Sequence, residues 1–303
     1  MEAKYIDQVS LLLRIVPEIF RIEQFALHGG SAINLFFRNM PRLSVDIDLT
    51  YIPYGKREKD LSEISRLLQK LSDRLKKTIP GMHIRFGSLE NEEIKLFCRR
   101  EQAEVKIEVN TVNRGVIGPV EKHALCSAAQ ERFNMFFEMN IVPKQQLFGG
   151  KIVAALDRQH PRDIFDTMKL LDQDGIDDQI MQGFLFCMFS SKRPFNEILL
   201  PNILPVESII ENQFKGMTNE SFTPDSYNTE RERLINVVHN NLTVKQKALI
   251  ISIAKGEPEW LYDDWSNFPG IAWKLKNINI LKNNDSKKFN IQLEKLHKIL
   301  FEL

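Results

Sequence analysis

The sequence predicts an α+β protein, with a small mixed sheet in residues 1–143 followed by a larger, mostly helical part in residues 144–303. Three observations predict it. Helical and strand-like periodicities interleave as far as Asn110, which suits a small mixed sheet with helices packed on it. Beyond Pro143 apolar residues recur almost only at helical spacing. The length of 303 residues exceeds an ordinary single domain, while a 43% apolar share is enough for two cores.

The elements follow in order. Residues 5–20 carry Val9, Leu12, Leu13, Val16 and Ile19 on one helical face, and Phe25-Ala26-Leu27 reads as a short strand. Gly29-Gly30-Ser31 then reads as a tight turn, with a helix over residues 32–38 starting from it. Val45, Ile47, Leu49 and Tyr51 alternate with Asp46, Asp48 and Thr50, the period of a half-buried strand. Residues 59–77 place Leu61, Ile64, Leu67, Leu68, Leu71 and Leu75 on one helical face, and Pro80-Gly81 ends that helix. Three strand-like runs come next, at residues 83–87, 94–99 and 105–110. The carboxy-terminal part predicts helices at residues 147–156, 164–171, 180–190, 231–240, 244–254 and 289–301.

Composition narrows the function. A net charge of +1 provides no whole-molecule field toward nucleic acid or acidic membranes, so any RNA would be held by a local basic patch. Cys98, Cys126 and Cys187 are odd in number and widely spaced, as reduced thiols in a cytoplasmic protein are. The start, Met1-Glu2-Ala3-Lys4, lacks the pattern of a signal peptide, and the apolar run 184–189 falls far short of the ~20 residues of a spanning helix. The expectation is a cytoplasmic protein without a membrane segment.

The chemistry concentrates on the carboxylates. A strand sends Asp46 and Asp48 to one face, and carboxylates ~4–5 Å apart repel by about 3–4 kcal/mol at an effective dielectric near 20. A divalent cation or a nearby arginine would offset that. Mg²⁺ suits the pair because it takes oxygen ligands and combines one or two carboxylates with substrate phosphates. Glu108, on the alternating run Val105 to Asn110, adds a third carboxylate to the same site if its strand lies beside the first. It would help hold the metal or take the acceptor's proton. Gly29, Gly30 and Ser31 would offer a triphosphate close backbone approach, free N–H groups and a hydroxyl, and Lys151 and Arg158 would counter phosphate charge. Singly, each element has a plainer reading: a solvated strand face, an ordinary turn, a surface glutamate. Their order along the chain is what points to a nucleotide site.

That order resembles the polymerase-β-type nucleotidyltransferase superfamily and, more narrowly, the AbiEii/AbiGii family of abortive-infection and toxin–antitoxin nucleotidyltransferases. The similar stretches are His28-Gly29-Gly30-Ser31-Ala32-Ile33-Asn34-Leu35, then Arg42-Leu43-Ser44-Val45-Asp46-Ile47-Asp48-Leu49, then Lys106-Ile107-Glu108-Val109. A last one runs from Lys151 through Ala154-Ala155-Leu156 and Arg158 to Pro161-Arg162-Asp163-Ile164-Phe165-Asp166. The family commonly has Asp where this chain has Glu108. The resemblance implies a polymerase-β-like fold and NTP with Mg²⁺ (or Mn²⁺) as co-substrates, metal held by Asp46, Asp48 and Glu108. It implies a phosphate role for Lys151 and a late essential acid at Asp163, with Asp166 competing for that role and helix capping as the plain alternative for Asp163. It further implies an RNA acceptor, tRNA first, and a cognate antitoxin encoded nearby.

Arg38, Arg42, Lys192, Arg193, Lys274 and Lys276 would line an RNA groove or be ordinary surface charge. Trp273-Lys274-Leu275-Lys276-Asn277 is similar to a segment near the end of some family members, with a core tryptophan flanked by solvated lysines as the plainer reading. Two other functions stand beside RNA modification: nucleotidyl transfer to a small molecule or a protein side chain, and a catalytically inert nucleotide-binding partner protein.

Overall fold

The computed structural model describes residues 1–89, 92–263 and 265–302. It divides into two compact units, Met1–Pro143 with Phe214–Ser221, and Lys144–Gln213 with Phe222–Leu303.

The first unit runs α1 (Ala3–Phe20), β1 (Phe25–His28), α2 (Gly29–Ala32) continued by a π-helical turn (Ile33–Phe37), β2 (Ile47–Tyr51), α3 (Arg57–Thr78), β3 (His83–Leu89), β4 (Glu92–Arg100), β5 (Ala103–Asn110), β6 (Glu121–Ala124), α4 (Ser127–Phe133) and β7 (Glu138–Ile141). Its strands form one mixed seven-stranded sheet in the order β3-β4-β5-β2-β1-β7-β6. β2 runs antiparallel to β1 and parallel to β5, so the strand carrying Asp48 lies in the middle of the sheet. Helix α1 packs on β5 and β7, and α3 on β4. The apolar stripe of α1 (Val9, Leu12, Leu13, Val16, Ile19) is fully buried, as are Ile47 and Leu49 of β2 and Val105 and Ile107 of β5. Each such side chain contributes roughly 1.5–3 kcal/mol relative to exposure. One face of β2 and β5 is thereby committed to the core, and the pleat turns the alternate residues to the other face.

Three details differ from the sequence expectations. The Gly-Gly-Ser segment is not a turn preceding a helix; it forms the first turn of the helix itself, with Gly29 at φ 73°. A side chain at that φ would be strained, which is why glycine stands there. Asp46 lies just ahead of β2 rather than within it. The eight residues Phe214–Ser221, expected within the helical part, belong to the first unit. The backbone fastens them there: Glu2 N donates to Gly216 O (2.8 Å), Leu43 N to Met217 O (2.7 Å), and Thr218 Oγ1 to Pro41 O (2.9 Å).

The second unit contains α5 (Lys144–Arg158), α6 (Pro161–Gln173), α7 (Asp178–Phe189), α8 (Phe195–Leu199), α9 (Glu207–Gln213), α10 (Pro224–Asn241), α11 (Val244–Ala254), α12 (Pro269–Asn284) and α13 (Ser286–Phe301). Helices α5 and α7 meet at two glycines. A Cβ on Gly149 would fall 2.2 Å from the carbonyl carbon of Gly183, and one on Gly183 would fall 1.8 Å from the Gln145 oxygen. That close approach lets Phe184, Leu185, Met188 and Phe189 fill the centre of the unit, where Phe186 meets the buried Trp265 edge to face. Among the described residues no helix is long and apolar enough to cross a membrane.

Candidate active site

The site begins with register. In the parallel pairing of β2 with β5, Asp48 lies directly opposite Glu108, and in the antiparallel pairing of β1 with β2 it lies opposite His28. Residues opposite one another project to the same face, so Asp48 and Glu108 are neighbours. Asp46, two residues before Asp48, joins that side and, like Asp48, is partly exposed while Val45, Ile47 and Leu49 are buried.

The repulsion expected among these carboxylates is offset by lysines. Lys95 Nζ lies 2.8 Å from Glu108 Oε1 and Lys106 Nζ 2.9 Å from Glu108 Oε2, so each oxygen of Glu108 has its own ammonium partner. Burial alone would raise the Glu108 pKa, but the hydrogen bonds from Lys95 and Lys106 outweigh it and hold the carboxyl below its usual range. Lys106 responds in the opposite sense. Burial lowers its pKa, yet the bond to Glu108 and the negative charges of Asp46, Glu108 and Asp48 leave it raised. Neither lysine was singled out from sequence. The spacing Lys106-x-Glu108, two residues apart on one strand, puts both on one face and could have revealed Lys106. Lys95 comes to Glu108 through the β4–β5 register.

The helix start completes this part of the site. A Cβ on Gly29 would fall 2.7 Å from Asp48 Oδ2, and one on Gly30 would fall 2.8 Å from Ser44 Oγ and 2.9 Å from Arg42 Nη2. The two glycines therefore make room for the chain's own Asp48, Ser44 and Arg42 side chains. Ser31 Oγ donates to the backbone carbonyl of Asp46 and reaches Ser44 Oγ at 3.1 Å, tying helix α2 to the approach of β2. Arg42 is 2% exposed, so it is no groove-lining cation; its Nη1 donates to Leu43 O.

The donor set is all hard oxygen, which suits Mg²⁺ better than a soft metal. Among the described residues no group of three or more His, Cys, Asp or Glu side chains is drawn together as a ready metal cluster. Asp46 and Asp48 fit the one or two protein carboxylates that Mg²⁺ takes beside substrate phosphates. Glu108, with both oxygens held by lysines, fits only if an ammonium moves away.

Lys151, Arg158, Asp163 and Asp166 all lie in the second unit and are brought together there. Lys151 Nζ sits between two carboxylates, 2.7 Å from Asp163 Oδ1 and 3.0 Å from Asp166 Oδ2. Arg158 clasps Asp163 through Nε and through Nη2 at 3.0 Å. Burial would raise the Asp163 pKa, but the charges of Lys151 and Arg158 and their hydrogen bonds drive it far below the usual carboxylate range. Asp163 does not cap α6. His160 is the N-cap, its Nδ1 accepting from Arg162 N, and Asp163 is spent on the two cations. Burial, followed by the charge of Arg162, lowers the His160 pKa to about 4, which keeps the ring a neutral acceptor.

The segment around Trp273 also differs from the plainer expectation. Trp273 is 41% exposed and Lys274 only 6%, so it is the lysine that is buried.

Compared by sequence with curated proteins, the chain has no match. Among solved structures it is similar to MenT4, a nucleotidyltransferase toxin from Mycobacterium tuberculosis H37Rv, at a TM-score of 0.62 and 12% identity over 91% of this chain and 95% of that one. At that identity the likeness concerns the fold. The family model described as the nucleotidyl transferase AbiEii toxin of type IV toxin–antitoxin systems matches residues 10–246, taking in the acidic strand, the glycine helix start and the Lys151–Asp166 cluster. The chain therefore belongs to the AbiEii nucleotidyltransferase toxin family.

Proposed function

We propose that the chain transfers a nucleotidyl group from an NTP to an RNA acceptor, tRNA in the first instance, at a divalent-metal site on the Asp48 face of the sheet. The observation that carries this reading is the opposition of Asp48 and Glu108 on adjacent strands, with Asp46 beside them and the glycine start of α2 against Asp48. In such a reaction an acceptor hydroxyl oxygen bonds to the α-phosphorus as its proton passes to a carboxylate of the site or to solvent, the bond to the bridging oxygen breaks, and pyrophosphate leaves with its electrons. Mg²⁺ or Mn²⁺ would neutralise phosphate charge and acidify the hydroxyl when bound by Asp46 and Asp48. Both oxygens of Glu108 already accept from Lys95 and Lys106, which leaves it the less available proton acceptor. Lys95 and Lys106 are the cations already on this face, and we assign them to phosphate oxygens. In the second unit Lys151 is committed to Asp163 and Asp166, whereas Arg158, which also holds Asp163, keeps 58% of its side chain exposed. Family membership supports an NTP substrate, a cognate antitoxin and growth arrest as the outcome.

The test is incubation of the protein with each of the four labelled NTPs, with total tRNA or with protein extract, with and without Mg²⁺. Label on tRNA that requires Mg²⁺ is the expected result. Label on protein alone would remove the RNA acceptor while leaving the transferase.

A further inference from the structure

A cavity of about 180 Å³ opens in the second unit between α8, α12 and α13, and none of the carboxylates or phosphate-binding residues of the proposed nucleotide site lines it. Its walls are mostly apolar and include three aromatic rings, Phe195, Trp273 and Phe289. Three lysines, Lys192, Lys274 and Lys288, also line it. An engineered apolar cavity of about 150 Å³ takes up benzene, so this one accommodates a flat ring system of roughly that size or slightly larger.

The lysines argue against a purely hydrophobic guest. Lys274 is buried, 6% exposed, with Nζ donating to Ser191 O (2.9 Å) and Arg193 O (2.6 Å) and lying 4.7 Å from the Phe195 ring centre. An ammonium has three N–H donors, and these two carbonyls use two of them. Among the described residues no carboxylate forms a salt bridge with it. Burial lowers its pKa to about 8, which leaves it mostly charged at neutral pH. Lys192 and Lys288 are exposed and make no salt bridge among the described residues. An aromatic slot with cations within it and at its edge matches a flat heteroaromatic ring that carries negative charge alongside.

We propose that this cavity takes a single unstacked base of single-stranded RNA, stacked against Trp273, with Lys192 and Lys288 on the flanking phosphates. A strand is favoured over a free nucleotide because the cationic surface extends beyond one base. Lys276, three residues from Trp273 on α12 and exposed, adds a further charge on the same helix face. Stacking on an exposed aromatic ring with lysines along the backbone is the general mode of single-strand binding. The proposal stands on residues of the second unit and holds whichever acceptor the transfer reaction uses.

The experiment is direct binding without NTP or Mg²⁺, following tryptophan fluorescence and, independently, the anisotropy of end-labelled RNA. Three ligands are compared: a single-stranded RNA hexamer, the same sequence as a duplex, and a nucleoside monophosphate. The hexamer is expected to bind at least ten-fold more tightly than either other ligand. Trp273→Ala should weaken it about ten-fold and Trp273→Phe should restore most of the loss. Lys192→Gln with Lys288→Gln should reduce the steepness of the salt dependence by about 1.4 in the log–log slope, two phosphate contacts' worth for a single strand. Equal binding of duplex and single strand, or tighter binding of the monophosphate, would overturn the proposal, as would hexamer affinity unchanged in Trp273→Ala. These side chains are exposed, so the variants are expected to fold, and unchanged thermal melting would verify it.

Discussion

In the first unit Lys95, Lys106 and Glu108 keep 35%, 34% and 31% of their side-chain surface exposed, whereas in the second Lys151, Asp163 and Asp166 keep 5%, 1% and 1%. Both clusters pair lysine with carboxylate at similar distances, yet the consequences differ. Ion pairs at the solvent edge are worth about 0–1 kcal/mol, so a substrate phosphate or a cation can replace one partner at little cost. Removing one member of a buried pair leaves an uncompensated charge and costs about 3–5 kcal/mol. Both clusters lie within the family match, but only the first is built to exchange partners. Asp163 is closed in by Lys151 and Arg158, and the expectation is that it acts through them rather than by meeting substrate.

Asp48→Ala should break the comparison most strongly. Loss of a carboxylate from the exchanging cluster is expected to lower nucleotidyl transfer on the order of 10³-fold, in line with the loss of major transition-state charge stabilisation. Stability of the second unit should not move. That separation is measurable because all three tryptophans, Trp260, Trp265 and Trp273, lie in the second unit, so their fluorescence during urea unfolding reports that unit alone. Asp163→Ala should do the reverse to the melt, destabilising the second unit by about 3–5 kcal/mol. An Asp163→Ala protein that loses activity with an unchanged melt would mean that Asp163 works in the chemistry after all.

Acid should separate the clusters next. His160 has a folded pKa of about 4, below the ordinary 6.5, so the unfolded chain takes up a proton first and stability falls as pH drops from about 6.5 to 4. Asp163, depressed below its ordinary 3.8, contributes stability that is fully present well above pH 3.8 and is lost as pH falls further. Tryptophan-monitored melts of His160→Gln should therefore flatten between pH 6.5 and 5, while the steep loss below pH 4 persists. A wild-type melt independent of pH from 6.5 to 5 would show that His160 titrates normally.

The same contrast bears on how much could be read in advance. The strands bearing Asp48 and Glu108 were legible because one face is core and the other solvent, which imprints a period of two on the sequence. Their parallel adjacency was not, since register is fixed by pairing between residues 60 apart in the chain, as Asp48 and Glu108 are, and leaves no local mark. The edge strand β6 (Glu-Lys-His-Ala) and the short β7 escaped for a related reason: β6 has no fully buried residue and β7 offers only Met139 and Ile141 to a periodicity. Phe214–Ser221 joins the first unit through backbone hydrogen bonds, the Thr218 hydroxyl and a left-handed Gly216, which leave no periodic apolar pattern in so short a stretch. Lys151 and Asp163 were found by motif, but their closure into one buried knot required the helix-to-helix geometry of α5 and α6. In Trp273-Lys274 a pattern of one aromatic and one charged residue suggested the opposite burial, because the charge of Lys274 is met by backbone carbonyls that the sequence does not advertise.

The smallest predicted effect sharpens the comparison from the exchanging side. If Lys106 and a divalent cation compete for the carboxylates of this face, Lys106→Ala should lower the Mg²⁺ concentration for half-maximal transfer by a few-fold, as expected when a single ion pair of about 0–1 kcal/mol is lifted. Lys106 is also assigned to phosphate, so the same variant should raise the KM for NTP. Lys106→Arg, which keeps the charge, should change both less. An increase in the Mg²⁺ requirement would show the lysine assisting the metal site instead of occupying it. The buried counterpart has no such behaviour to display: Lys151→Ala should leave the Mg²⁺ requirement of any remaining activity unchanged while weakening the second unit, because its two aspartates are closed to solvent and to cations alike.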